Sequence, residues 1–211
     1  INLPLDDRGY YLVYQRCCRN TIISNITDPT ETGTTFSVFV PSLPLNPPEF
    51  NSSPQWGDWP PIYTCTNLPF EFNHGAIDPD GDSLVYSFCT PYSGKTRLDP
   101  AGRPDNPPYD TIQWKTNFSL NNLIGSPISI DPKTGIIKAQ PNLTGHFLIG
   151  VCISEYRKGR LLTSSRRDFE LNVVACGIKP DVAFIRKSDL CDGLRVQFEN
   201  TTKNGMDYYW Y

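Results

Sequence analysis

Proline and glycine recur too often in this chain for a long helix to form between them: 20 Pro and 15 Gly are spread through 211 residues. Proline removes a backbone donor and clashes with the preceding turn, and glycine loses the most freedom on ordering. Such punctuation favours short extended segments joined by turns. The intervening stretches read that way. Tyr10-Tyr11-Leu12-Val13-Tyr14-Gln15-Arg16-Cys17-Cys18 is aromatic, β-branched and long enough for a core strand. In Thr34-Thr35-Phe36-Ser37-Val38-Phe39-Val40, Phe36, Val38 and Val40 alternate with Ser37 and Phe39. The polar stretch 25–33 between them is turn-like, so the two runs are expected as strands of one sheet.

Pro41-Ser42-Leu43-Pro44-Leu45-Asn46-Pro47-Pro48, with Pro60-Pro61 beyond it, fixes φ repeatedly and predicts a semi-rigid linker. A domain boundary is expected near residue 58. A fuller set of strands follows, at about 62–65, 70–73, 84–90, 112–114, 128–130, 135–139, 145–155 and 164–174. Asp131-Pro132-Lys133-Thr134-Gly135 and Arg157-Lys158-Gly159-Arg160 carry hairpin-turn chemistry. The stretch 92–109, rich in Pro and Gly, reads as a long loop. Many short strands with turn clusters between them predict a Greek-key sandwich. After Cys176-Gly177, Val182-Ala183-Phe184-Ile185 and Leu194-Arg195-Val196-Gln197-Phe198 read as strands, and Tyr208-Tyr209-Trp210-Tyr211 as the opening of another. The expected organisation is all-β: 1–58 a partial β-sandwich with its Pro-rich linker, 59–177 a complete sandwich, and 178–211 the start of a third, incomplete one. With 11 Tyr, 11 Phe and 4 Trp, the aromatic residues supply the core that a 38% apolar content would otherwise leave thin.

Charge excludes one class of partner. Charged residues make up 19% of the chain and the net charge is -3, so there is no basic excess to neutralise phosphates and nucleic-acid binding is not expected. No apolar run is long enough to span a membrane, so direct membrane insertion is not expected either. The single Met does not stand at position 1, and the expectation is a piece of a longer protein.

The seven cysteines define the compartment. There is no Cys-x-x-Cys, and the two His, His74 and His146, stand away from any Cys pair, which argues against zinc. Cys65, Cys89, Cys152 and Cys176 lie in or beside strand-like runs, a placement that suits structural disulfides in an oxidising, extracellular setting. Cys89–Cys152 is the favoured pair, expected to link strands facing each other across the sandwich. Cys65 is expected to join Cys176, or else Cys17 or Cys18. Adjacent strand residues point to opposite faces, so Cys17 and Cys18 are expected to take different partners. The count is odd, so one thiol, Cys191 included, is free or finds its partner elsewhere.

Asp78-Pro79-Asp80-Gly81-Asp82 places carboxylates at alternate positions of a turn. Clustered hard oxygens suit Ca²⁺, and Asp78, Asp80 and Asp82 are the candidate ligands, with Glu155, Asp131 or Asp168 as distant contributors. The alternative is a turn whose Asp and Gly serve backbone geometry alone. An EF-hand is excluded, because the position that requires a bidentate Glu is Cys89. A glycosidase needs carboxyl groups opposed across a cleft, and one acidic turn does not supply them. Neither His has a nucleophile-elbow motif nearby, so both are expected at the surface or a strand edge, and no catalytic role is expected.

Asn25, Asn51, Asn117, Asn142 and Asn200 stand in Asn-x-Ser/Thr strings, acceptors for glycans in a eukaryotic secreted protein. Trp56-Gly57-Asp58-Trp59-Pro60 is either an exposed carbohydrate or protein contact or, the favoured reading, packing at a domain junction.

Three strings carry a family resemblance: Tyr14-Gln15-Arg16-Cys17-Cys18-Arg19-Asn20 with its continuation, the segment 78–89, and Gly150-Val151-Cys152 on through Arg166-Arg167-Asp168-Phe169. Together they resemble large repetitive surface proteins of Bacteroidota, PKD-domain proteins of the gliding-motility-associated, type IX-secreted kind. Asp78-Pro79-Asp80-Gly81-Asp82-Ser83-Leu84, Ile130 to Gly135 and Gly145-His146-Phe147 resemble a cadherin-like, Ig-type module. The resemblance implies calcium at Asp78, Asp80 and Asp82. Cys191-Asp192-Gly193-Leu194 through Tyr211 resembles the opening of a PKD domain. The implied fold is therefore tandem Ig-like or cadherin-like sandwiches with a truncated PKD-like last one. Within that phylum, Asp82-Ser83-Leu84 and Asp110-Thr111-Ile112 resemble its O-glycosylation pattern, with Ser83 and Thr111 as acceptors.

The function expected is that of a structural or adhesive module, not an enzyme, in a large secreted cell-surface protein: a stalk, adhesin or filament. Its expected partners are other surface proteins, glycans or copies of itself. The alternative is a carbohydrate-binding accessory module of a secreted multidomain enzyme, stacking sugars on Trp56, Trp59, Tyr92, Tyr109 or Trp114.

Overall fold

The computed structural model describes residues 4, 6–42, 50–61, 63–176, 184–186 and 198–201, and among them there is no helix. The chain forms two compact units, Ile1–Val174 and Ala175–Tyr211. The first holds β1 (Tyr10–Arg16), β2 (Thr34–Val40), β3 (Gln55–Trp56), β4 (Tyr63–Cys65), β5 (Phe70–Asn73), β6 (Ala76–Ile77), β7 (Ser83–Phe88), β8 (Ile128–Ile130), β9 (Ile136–Ala139), β10 (Gly145–Arg157) and β11 (Arg160–Val174). The second holds β12 (Phe184–Arg186) and β13 (Phe198–Asn200), paired antiparallel with Phe184 opposite Asn200. Cys191 and the aromatic string 208–211 lie outside the described residues.

The longest strands form where the apolar runs are longest and free of proline. β10 and β11 make one hairpin in which Arg157 pairs with Arg160. Its two turn residues, Lys158 and Gly159, have φ of 51° and 79°, the left-handed pair that a tight hairpin turn requires. β7 adds antiparallel to the outer edge of β10, and β4 adds parallel to β11, giving the sheet order β4-β11-β10-β7. A second sheet has the order β5-β9-β8. Its β8–β9 hairpin turns through Asp131, whose carboxylate accepts from the N–H groups of Lys133 (2.9 Å) and Thr134 (2.8 Å).

The core lies between these two sheets. Phe147, Ile149 and Val151 of β10, and Phe169, Leu171 and Val173 of β11, pack with Phe70 of β5 and Ile137 of β9. The intervening Leu148 faces the other way, into a second cluster with Ile23, Ile26 and Ile112. A strand covered on both faces has no polar alternation to keep, which explains the unbroken run Phe147 to Val151. Each of these buried side chains contributes up to about 1.5–3 kcal/mol by leaving water.

The boundary expected near residue 58 does not divide the fold, since both sides of it belong to the unit Ile1–Val174. Proline stiffens the backbone without deciding whether the flanking segments share a core. Here Ile26, inside the stretch that reads as a polar turn, and Ile23 just before it cover β10. β2 lies against β11, where Thr163 Oγ1 donates to Phe39 O (3.3 Å). The strand expected at 112–114 is reduced to isolated bridges, Ile26 with Trp114 and, just before it, Tyr92 with Thr111.

Cys89 and Cys152 form a disulfide with Cα atoms 5.8 Å apart, but it does not cross the sandwich. β7 and β10 are neighbours in one sheet, and the bridge fastens the edge strand to its partner. Gly150 makes the approach feasible: a Cβ there would collide with the carbonyl oxygen of Cys89. Cys17 and Cys18 bond to each other rather than to separate partners. β1 ends at Arg16, so the alternation of strand side chains does not extend to them. Cys65 is disulfide-bonded, and so, taken separately, is Cys176.

Candidate functional site

The acidic turn sits directly before β7 and closes on itself through Asp78, whose Oδ1 accepts from the N–H groups of Asp80 (2.9 Å) and Asp82 (3.1 Å). Two Asx-type bonds of this kind fix the turn and leave Oδ2 over. Register then supplies what local spacing cannot. Ser83 pairs with Tyr156, which brings Glu155 and Arg157 of β10 beside the turn. Asp78, Asp82 and Glu155 offer oxygens that all lie within 4.8 Å of one another, a set that could hold a metal ion. Asp80 does not join them. Its Oδ2 accepts from Ser52 N (2.5 Å) and lies 3.9 Å from Arg157. Of the distant candidates, Glu155 takes part. Asp131 caps its own turn, and Asp168 is paired with Arg19 at 2.7 Å.

Arg157 is the residue that the sequence reading missed. It grips Asp82 with both arms, Nε to Oδ1 at 2.8 Å and Nη2 to Oδ2 at 2.6 Å, and also donates to Phe50 O (2.8 Å) and Asn51 Oδ1 (3.0 Å). The signal was its place in the Arg157-Lys158-Gly159-Arg160 turn, opposite the start of β7.

Glu155 is 0% exposed, and among the described residues no hydrogen bond of good geometry reaches either of its oxygens or Asp78 Oδ2. Burial pushes its carboxyl up to about 7. Nearby Asn51 opposes the shift, and the charges of Asp78 and Asp82 add to it. The hydrogen bonds from Arg157 hold Asp82 below the usual carboxylate range. A buried carboxyl beside two carboxylates needs either a proton or a cation. The unpartnered oxygens fit a hard cation, which would be held by Asp78, Glu155 and whatever share of Asp82 Arg157 releases.

His74 is 1% exposed rather than at the surface. It fills a cage of Trp56, Phe72 and Phe169, with ring centroids 4.9, 5.6 and 5.2 Å away. His74 follows β5 directly, and its backbone N–H donates to Gly135 O at 3.2 Å. Neither nitrogen has a partner among the described residues, and burial, with Arg167 nearby, lowers its pKa to about 4. His146 is half-buried beside Glu170.

Asn25 is 0% exposed, with its side-chain amide fully engaged, so it is no glycan acceptor. Ser83 and Thr111 are exposed, as are Asn117, Asn142 and Asn200. Trp56 packs against the core, while Trp59 is 72% exposed. Among the described residues, no helix is long and apolar enough to cross a membrane. In comparisons with known proteins, the chain matches no family model, no curated protein and no solved structure.

Proposed function

We propose that the chain is a structural or adhesive module of a secreted cell-surface protein, built from sandwiches of the cadherin-like and PKD-like kind that its sequence resembles, and without catalysis of its own. One observation carries this reading: β7, the edge strand, is fastened to β10 at both ends. At its start the acidic turn meets Glu155 and Arg157, and at its end Cys89 is bonded to Cys152. Edge strands are where sheets pair wrongly or open first, and a module under tension gains from closing them. Calcium is the ion proposed for Asp78, Asp82 and Glu155, because the donors are all hard oxygens. Disulfide-bonded cysteines support the reading of an oxidising, extracellular compartment. Its partners are other surface proteins, glycans or further copies of the chain.

Thermal melts of the purified chain with calcium, with chelator and with reductant test this reading. Chelator and reductant are each expected to lower the melting temperature, and together to lower it further. Calcium at a hundred times its dissociation constant is expected to add about 2.7 kcal/mol. Melting that ignores all three treatments, or turnover on a panel of polysaccharides, would overturn it.

A further inference from the structure

Away from the latched strand, the indole of Trp59 stands open on the surface with its position fixed from behind. The guanidinium of Arg167 lies over its ring at 3.7 Å from the centroid. A cation seated on one aromatic face holds a ring that would otherwise swing in solvent. Trp59 borders a shallow groove of about 460 Å³, whose polar lining comes from three separate segments: Asn20 after β1, His146 on β10, and Asp168, Glu170 and Asn172 on β11.

These side chains are already ordered. Asn20 Nδ2 donates to Glu170 Oε2 at 2.9 Å, and His146 Nδ1 lies 3.9 Å from the same oxygen. Among the described residues, no hydrogen bond takes up Glu170 Oε1, His146 Nε2 or the side-chain amide of Asn172. The groove therefore presents an aromatic plate with an acceptor-only carboxylate, an imidazole nitrogen and a donor–acceptor amide beside it. A sugar ring offers the matching surfaces: an apolar face of C–H groups, and hydroxyls that both donate and accept around its rim. A larger cleft of about 670 Å³ beside Tyr92 and Tyr109 lacks this match, because its one charged liner is Arg166 and no carboxylate or amide stands in it.

We propose that the groove at Trp59 binds one or two units of a neutral glycan chain, with Trp59 as the stacking platform and Glu170, His146 and Asn172 reading the hydroxyls. The volume admits a short stretch of chain and no more. Carboxylates on the rim, Glu170 foremost, disfavour acidic sugars.

The test titrates the disulfide-intact chain with neutral hexasaccharides of glucose, mannose, xylose and N-acetylglucosamine, following heat and tryptophan fluorescence, with an acidic uronic-acid oligosaccharide as the contrast. At least one neutral probe is expected to saturate. Trp59→Ala is expected to weaken it at least about tenfold, Trp59→Phe less, and Glu170→Gln several-fold. Leu98→Ala, at a site 98% exposed, is expected to change nothing. If Trp59→Ala lowers the melting temperature, Glu170→Gln and Asn172→Ala decide. The proposal is overturned by a native chain that binds no neutral probe, by equal or tighter binding of the acidic one, or by platform and rim variants that bind like the native chain. None of these outcomes bears on the melts with calcium, chelator and reductant, so the two readings fail separately.

Discussion

The guanidinium of Arg19 and the carboxylate of Asp168 meet at 2.7 Å with each side chain only 7% exposed. Their strings, Cys17-Cys18-Arg19-Asn20 and Arg166-Arg167-Asp168-Phe169, are thus partners in space, and Asn20 repeats the pairing with Glu170. Arg19 also donates to Gly33 O and Tyr92 O, so it ties the segment after β1 and the long loop to β11. Breaking a buried pair leaves a charge without compensation. Asp168→Ala is expected to cost about 3–5 kcal/mol in denaturant unfolding, and the double variant with Arg19→Ala less than the two single costs added together.

Glu155 sets an alkaline slope. Its folded pKa lies above its unfolded value, at about 7 against 4.5. Its contribution is therefore fully present below pH 4.5 and lost as pH rises through 7. Without metal, Glu155→Gln is expected to be more stable than the native chain at pH 8 by about 3 kcal/mol and to gain nothing from calcium. Melting curves across pH, with and without calcium, check both.

His74 sets the opposite slope. Its folded pKa is depressed to about 4 from 6.5, so its contribution is present above 6.5 and lost as pH falls through 4. His74→Leu is expected to flatten the acid arm of the stability profile, which amounts to about 3 kcal/mol. Between these limits the two residues offset each other, and each variant uncovers the slope of the other.

Arg157 competes with any cation for Asp82. Arg157→Gln frees that carboxylate and removes a positive charge, so calcium is expected to bind at least about tenfold tighter by calorimetry. If no ion binds at the acidic turn, the same variant shows only lowered stability.

The Cys89–Cys152 bridge closes a loop of sequence separation 63. Chain-entropy arguments give such a closure roughly 4 kcal/mol. The double variant to Ala is expected to lose about that amount in urea unfolding, while exposed residues far from β7 keep their native spectra.

What the sequence made legible was local. Alternation placed β2, and turn chemistry placed the hairpins at Asp131 and Lys158-Gly159, because each depends on neighbours within a few residues. The acidic turn was readable for the same reason. The partners of that turn were only partly readable: Glu155 was one of several distant carboxylates, and Arg157 stood in a legible hairpin turn whose position opposite the start of β7 only the strand register reveals. Arg19 with Asp168, and the burial of His74 among aromatic rings, depend on contacts between distant segments, and polar contacts leave no periodicity behind. The supposed break near residue 58 misled because proline reports on backbone stiffness alone.

Asn25 shows how far such a contact can go. Its amide donates to the carbonyls of Leu123 and Leu148 and accepts from the N–H of Leu148, while Ser24 N–H bonds His146 O alongside. A side chain has taken the part of a peptide group, continuing along β10 the line that β7 leaves off. The amide proton of Leu148 is then guarded by a side-chain rotamer instead of a strand. Its exchange with deuterated solvent would follow the loosening of the loop around Asn25, even while the hairpin of β10 and β11 stays whole.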